Sequence, residues 1–253
     1  MFLIIILRFS YVYCSSCHIT GNAKSKVADC SLRGFLSVPR DLPDDIVKLD
    51  LRGNEIVNIT AQAFIRYRTL QVLILNNNKI SYLEDNTFAG LGTLDKLSMF
   101  GNNLDTNESY PLDIFSPLVS LTTLNISRNM KNTNRKTVFY PSFGELYNLT
   151  NLAVDLTGDS VFNMSGSNLT KLNTLLFDCC YLDRMTNKTF FDMPSSIVSI
   201  TFTGHDGCTI FSVAEADFLR PFPSLRILRL KRVCLELESA LKMLYPFRKQ
   251  KNE

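Results

Sequence analysis

The sequence has no tryptophan and only two histidines, His18 and His205, which stand far apart. Its seven cysteines include one Cys-x-x-Cys spacing, Cys14 to Cys17, which straddles the end of the N-terminal apolar segment and has no second pair, so the ligand spacing of a zinc site is missing. There is no glycine-rich phosphate loop and no serine or cysteine nucleophile with an evident base. These gaps exclude the usual enzyme signatures and point to no cofactor. Nor is there much charge of one sign: 27 Lys and Arg against 24 Asp and Glu leave +3, too little to argue nucleic-acid or membrane-surface binding from the total. Beyond the first residues nothing approaches ~20 uninterrupted apolar positions, so this chain shows no membrane span.

What is present begins with a short apolar run, MFLIIILRFSYVY, followed by Cys14, Ser15 and Ser16. Residues 1–16 read as a secretory signal, although the charged n-region is missing and Arg8 interrupts the run. Seven N-glycosylation triplets, at Asn58, Asn107, Asn125, Asn148, Asn163, Asn168 and Asn187, fit the same route. Secretion, or an extracellular location, is therefore expected. Membrane anchorage would require a downstream span in a longer form.

The stretch IVKLDLRGNEI places Ile46, Leu49, Leu51, Asn54 and Ile56 at offsets 0, 3, 5, 8 and 10. Neither the helical period of 3.6 nor the strand period of 2 gives that spacing. LQVLILNNNKI repeats it 24 residues later with Leu70, Leu73, Leu75, Asn78 and Ile80. Further starts fall at Leu94, Leu121, Leu149, Leu172, Ile197 and Leu225, with periods between 23 and 28. Eight such units resemble a leucine-rich repeat solenoid: an α/β arc with short parallel strands on its concave face.

The template assigns roles. Residues such as Leu73 and Leu75 enter the core from a short strand, after which the chain turns inward. Asn54, Asn78, Asn102 and Asn129 at offset 8 are expected to bond the buried backbone of adjacent turns. Thr157, Cys180, His205 and Val233 replace them later, and Val233 cannot donate, so the eighth unit should be looser or differently turned. On the convex side Ile59, Leu83, Met185 and Val213 each precede a phenylalanine by five positions, predicting a spine through Phe64, Phe88, Phe190 and Phe218.

Residues 17–45 read as an N-terminal cysteine cap, 46–247 as the repeats, and 248–253 as a disordered tail or the start of a truncated ninth repeat. A secreted solenoid needs its first coil covered, and a Cys17–Cys30 disulfide is the expected device. Cys179 and Cys208 fall on adjacent coils and are candidates for a second bridge; the pairing of Cys179, Cys180, Cys208 and Cys234 stays open. At the other end either Leu241, Leu244 and Phe247 improvise a cap or the chain is a truncated product, the reading preferred here.

The segments ADCS…VPRDLP, LDLRGNEIVNITAQAF, SPLVSLTTLNISRNM and FGELYNLTNLAVD together resemble the ectodomain of invertebrate Toll-like receptors across residues 17–247. That resemblance implies a recognition module of innate immunity that binds a protein or microbial ligand through the solenoid surface, with receptor dimerisation as a further implication. The alternative is a secreted matrix or adhesion protein without immune signalling. Binding residues are expected beside the strands: Val72, Ile74 and Phe100 as an apolar contact, and Arg128, Lys131, Arg135 and Lys136 as cations toward an anionic ligand. The bland reading of both groups is ordinary exposed surface.

Overall fold

The computed structural model describes residues 16–22, 25–105, 107–130, 140–156, 161–179, 185–204 and 212–247. Residues 1–15, Lys131, Arg135, Lys136, Thr157, Cys180, His205, Cys208 and the residues from 248 lie outside the described residues.

An antiparallel hairpin of β1 (His18–Thr20) and β2 (Lys26–Asp29) opens the chain. The repeats then lay down β3 (Ile46–Asp50), β4 (Asn58–Ile59), β5 (Val72–Ile74), β6 (Tyr82–Leu83), β7 (Lys96–Ser98) and β8 (Thr123–Asn125). They continue with β9 (Asn151–Leu156), β10 (Phe162–Asn163), β11 (Thr174–Cys179), β12 (Phe190–Phe191), β13 (Ser199–Gly204) and β14 (Ile227–Lys231), ending in helix α1 (Leu237–Leu244). The main sheet has ten strands in the order β1-β2-β3-β5-β7-β8-β9-β11-β13-β14, and from β2 onward every pairing is parallel. Each of the eight predicted units supplies one of its strands. The short pairs β4–β6 and β10–β12 form ladders away from this sheet, on the convex side.

The core follows the template. Leu49, Leu73, Leu97, Leu124, Leu152, Leu175 and Ile200 are in register and fully or almost fully buried. The asparagine ladder forms as expected. Asn78 donates to the carbonyls of Leu51 (2.9 Å) and Leu75 (3.0 Å) and accepts from the Ile56 N–H (3.2 Å). Asn102 and Asn129 repeat the pattern one and two coils on. Each amide satisfies backbone groups that the inward turn would otherwise orphan.

Phenylalanines stack along the convex side, and the spine is longer than the one read from sequence. Phe64, Phe88, Phe115 and Phe143 follow one another at 6.0–6.5 Å between ring centroids, with interplanar angles of 20° or less. Phe190 and Phe218 continue the core at 6.0 Å, tilted, alongside Phe177 and Phe202. Phe115 and Phe143 escape a count forward from the strand because their units are longer. Counted back from the next repeat start, each stands six positions before it, as Phe64 and Phe88 do.

Cys17 and Cys30 are bonded, with their Cα atoms 4.4 Å apart. The bridge closes a loop of 13 residues, worth roughly 3 kcal/mol on the chain-entropy model. Asn54 ties this cap to the first coil, donating to the Cys30 carbonyl and accepting from the Arg33 and Phe35 N–H groups.

At the C-terminal end, of the improvised cap of Leu241, Leu244 and Phe247 weighed as the alternative to truncation, only Phe247 turns inward. Helix α1 buries Ser239 and Met243 and leaves Leu237, Leu241 and Leu244 exposed, while Phe247 packs partly buried against the core. Ser239 and Met243 lie four apart on one helix face, and the leucines occupy another. The Val213 N–H donates to Ser239 Oγ (3.1 Å), which turns that face inward. Among the described residues no helix is long and apolar enough to cross a membrane.

Candidate functional site

Parallel register arranges the outward side chains of the concave sheet in three columns. Lys48, Val72, Lys96, Thr123, Asn151, Thr174, Ser199 and Ile227 form the first. Asp50, Ile74, Ser98, Asn125, Ala153, Leu176, Thr201 and Arg229 form the second. At offset 6 the third runs through Arg52, Asn76, Phe100, Ser127, Asp155, Asp178, Thr203 and Lys231, with Asp155 and Asp178 directly paired.

The position after the third column needs left-handed backbone. Gly53, Asn77 and Gly101 stand there with φ of 66°, 53° and 71°, values that glycine and asparagine tolerate. A Cβ on Gly101 would lie 2.4 Å from Asn77 Oδ1, a second reason for glycine. Arg128 occupies the same position with φ 55°, and Arg232 with φ 52°. An arginine held there is strained by ~1–2 kcal/mol, which other contacts must offset.

Those contacts converge on Arg128. Its Nε donates to Asp178 Oδ2 at 3.1 Å, and its guanidinium carbon lies 5.0 Å from the centroid of the Phe100 ring. Its backbone N–H donates to Asp155 Oδ1 (2.6 Å), and Asp155 Oδ2 accepts from the N–H groups of Asn129 and Met130. In earlier coils this N–H donates to a backbone carbonyl of the next coil, as Gly53 does to Asn76 and Gly101 to Ser127. In the fifth and sixth coils β9 and β11 run straight for six residues instead of turning after three. The Asp155 carboxylate takes over from the missing carbonyl and asparagine.

Burial raises Asp155 to a pKa of about 6; its three backbone hydrogen bonds pull the other way, and neighbouring Asp178 adds to the rise. The Tyr140 hydroxyl donates to the Asp155 carbonyl at 2.9 Å, fastening the same turn. The result is a cation displayed on the concave rim, its side chain 38% exposed, braced by an aromatic ring and a buried carboxylate.

Phe100 and Arg128 are thus brought together as a contact pair. Val72 and Ile74 lie side by side on β5 but are half-buried, a smaller apolar contact than the sequence suggested. Lys131, Arg135 and Lys136 lie in the undescribed segment that begins just after Met130. Sequence reasoning missed Asp155 and Asp178; the signal was two aspartates at one offset in successive units, which parallel pairing makes neighbours.

The glycosylation triplets fall mostly off the concave sheet. Asn58, Asn163, Asn168 and Asn187 are exposed, and Asn107 opens a short 3-10 turn. Asn148 donates to the Val119 carbonyl and accepts from Lys171. Asn125 lies on the concave sheet, and its Oδ1 accepts from both the N–H and the Oγ of buried Ser127. Cys179 ends β11, its candidate partner Cys208 is undescribed, and Cys234 is an exposed free thiol.

Residues 45–104 match the family model described as leucine rich repeat. The chain carries a leucine-rich repeat domain. It is similar to leucine-rich repeat-containing protein 3 of Danio rerio, 33% identical over 110 residues, 43% of this chain and 40% of that protein. Osteomodulin of Rattus norvegicus is 28% identical over 209 residues, 82% of this chain and 46% of its own length. Nephrocan of Mus musculus is 40% identical over 68 residues, 27% of this chain and 13% of its own. The chain spans less than half the length of these curated relatives. The solved structure of human trophoblast glycoprotein (Wnt-activated inhibitory factor 1) superposes with a TM-score of 0.59 at 18% identity, covering 85% of this chain and 79% of that one; it supports the fold. These relatives support the leucine-rich repeat and not the finer assignment to Toll-like receptors.

Proposed function

We propose that this leucine-rich repeat domain is an extracellular protein-binding module of the matrix or adhesion kind, and that its contact surface is the concave sheet. The observation that carries the reading is Arg128: a strained, partly exposed cation stacked against Phe100 and anchored by the buried Asp178. Backbone strain tends to be kept at functional sites, and at Arg128 buried partners offset it. Cap disulfide and exposed glycosylation triplets suit an oxidising, extracellular setting. The matrix or adhesion reading is preferred to an innate-immune receptor because none of the relatives named above is a Toll-like protein.

The test is binding of the labelled protein to an extracellular-matrix preparation. Ala153→Arg, which places a bulky charge mid-sheet, should abolish binding, and Lys188→Glu, outside the sheet, should leave it intact. Equal binding by the two variants would move the contact surface elsewhere.

A further inference from the structure

From β3 to β14 the concave columns contain three acids, Asp50, Asp155 and Asp178, and all three are buried. Asp50 is spent on Arg52, Asp155 on the backbone of the fourth coil, and Asp178 on Arg128. Among the described residues of these columns the exposed charges from β3 to β14 are all positive; exposed Asp29, on β2, lies one strand beyond β3. Half-buried Lys48, with exposed Lys96 and Arg128, marks one end; exposed Arg229, Lys231 and Arg232 mark the other. Between them β9, β11 and β13 present Asn151, Ala153, Thr174, Leu176 and Thr203, a neutral strip that includes two apolar side chains. A chain with near-balanced total charge has thus segregated one sign onto this face.

We propose that the concave sheet binds an extended acidic segment of a partner protein, with acidic residues at its two ends and small or apolar residues in its middle; this rests on the concave-face reading above. Seven strand steps of ~4.8 Å separate β3 from β14, roughly 34 Å, which an extended chain spans in about ten residues. A uniformly sulfated polysaccharide fits less well: crossing three strands it would set charged groups over Ala153 and Leu176 with no countercharge, a desolvation cost a mixed-sequence peptide avoids. Complementary charge at the ends steers association and fixes register, and its contribution weakens with salt.

The full chain is presented to a random dodecapeptide display library, and recovered peptides are re-measured against Ala153→Arg, against Lys96→Glu combined with Arg229→Glu, and against Lys188→Glu. The expected peptides carry Asp or Glu toward both ends, lose binding to Ala153→Arg, bind the double variant at least tenfold more weakly, and ignore Lys188→Glu. Neutral or basic peptides that still lose binding to Ala153→Arg would overturn the acidic segment and leave the concave reading standing. Peptides indifferent to Ala153→Arg would overturn the concave reading itself, and recovery of no binder would count against both. A heparin dodecasaccharide that binds through Lys96 and Arg229 while acidic peptides do not would replace the peptide with a sulfated glycan.

Discussion

The Arg128 guanidinium stacks on the Phe100 ring at 5.0 Å while its Nε reaches Asp178, so one side chain joins the third, fourth and sixth coils on the concave face. Both Arg128→Gly and Arg128→Ala lose these contacts, but only glycine relaxes the positive φ. The glycine variant should be more stable than the alanine variant by ~1 kcal/mol. Chemical denaturation measures the difference, and equal midpoints would show that residue 128 is unstrained.

Asn78→Ala removes the group that pairs the Leu51 and Leu75 carbonyls and the Ile56 N–H inside the ladder. Each buried group left unsatisfied costs ~1–3 kcal/mol, so a loss of about 3 kcal/mol or more is expected. Exposed Asn151→Ala should change stability by less than ~0.5 kcal/mol. Comparable losses in the two variants would contradict the ladder.

Phe88 has stacked neighbours on both sides, Phe64 at 6.3 Å and Phe115 at 6.0 Å. Phe88→Ala should lower stability by roughly 3–5 kcal/mol, because a rigid spine cannot collapse into the cavity. Lys96→Ala, at an exposed concave position, should leave the denaturation midpoint unmoved.

Asp155 has a folded-state pKa of about 6, above its ordinary 3.8. Between those values the folded state holds more protons than the unfolded state, so stability falls as pH rises. The contribution is full below pH 3.8 and lost by neutral pH, and at ~1.4 kcal/mol per pKa unit it amounts to about 3 kcal/mol. A carboxyl-carbon NMR titration of Asp155 should have its midpoint near 6; a midpoint at the ordinary 3.8 would mean that the three backbone hydrogen bonds fully offset burial.

The Asn125 triplet should stay unmodified while Asn58, Asn163, Asn168 and Asn187 carry glycan. Its serine, Ser127, is buried and bonded to Asn125 Oδ1 once β8 forms, and a glycan there would cover the concave sheet. Glycopeptide mass spectrometry reads each site. Full occupancy at Asn125 would confine recognition to the first three coils and the rim.

Sequence alone determined the repeat, the cap disulfide, the asparagine ladder and most of the core, because each depends on spacing that a regular coil copies from unit to unit. A leucine at offset 3 or an asparagine at offset 8 meets the same neighbours wherever it occurs, so its environment is legible without coordinates. The site was only half legible. Phe100 and Arg128 could be picked out as outward-facing residues, but their pairing depends on a left-handed turn that brings an arginine back over the preceding coil. Asp155 and Asp178 matter because the fifth and sixth coils abandon that turn and run on as longer strands, which moves a carboxylate into the place of a backbone carbonyl. Helix α1 likewise packs through Met243, buried in the core, and through the hydrogen bond from the Val213 N–H to Ser239 Oγ, rather than through its more numerous leucines. Spacing specifies what repeats; where the repeat breaks, neighbours from different coils decide the outcome, and only the assembled solenoid brings them together.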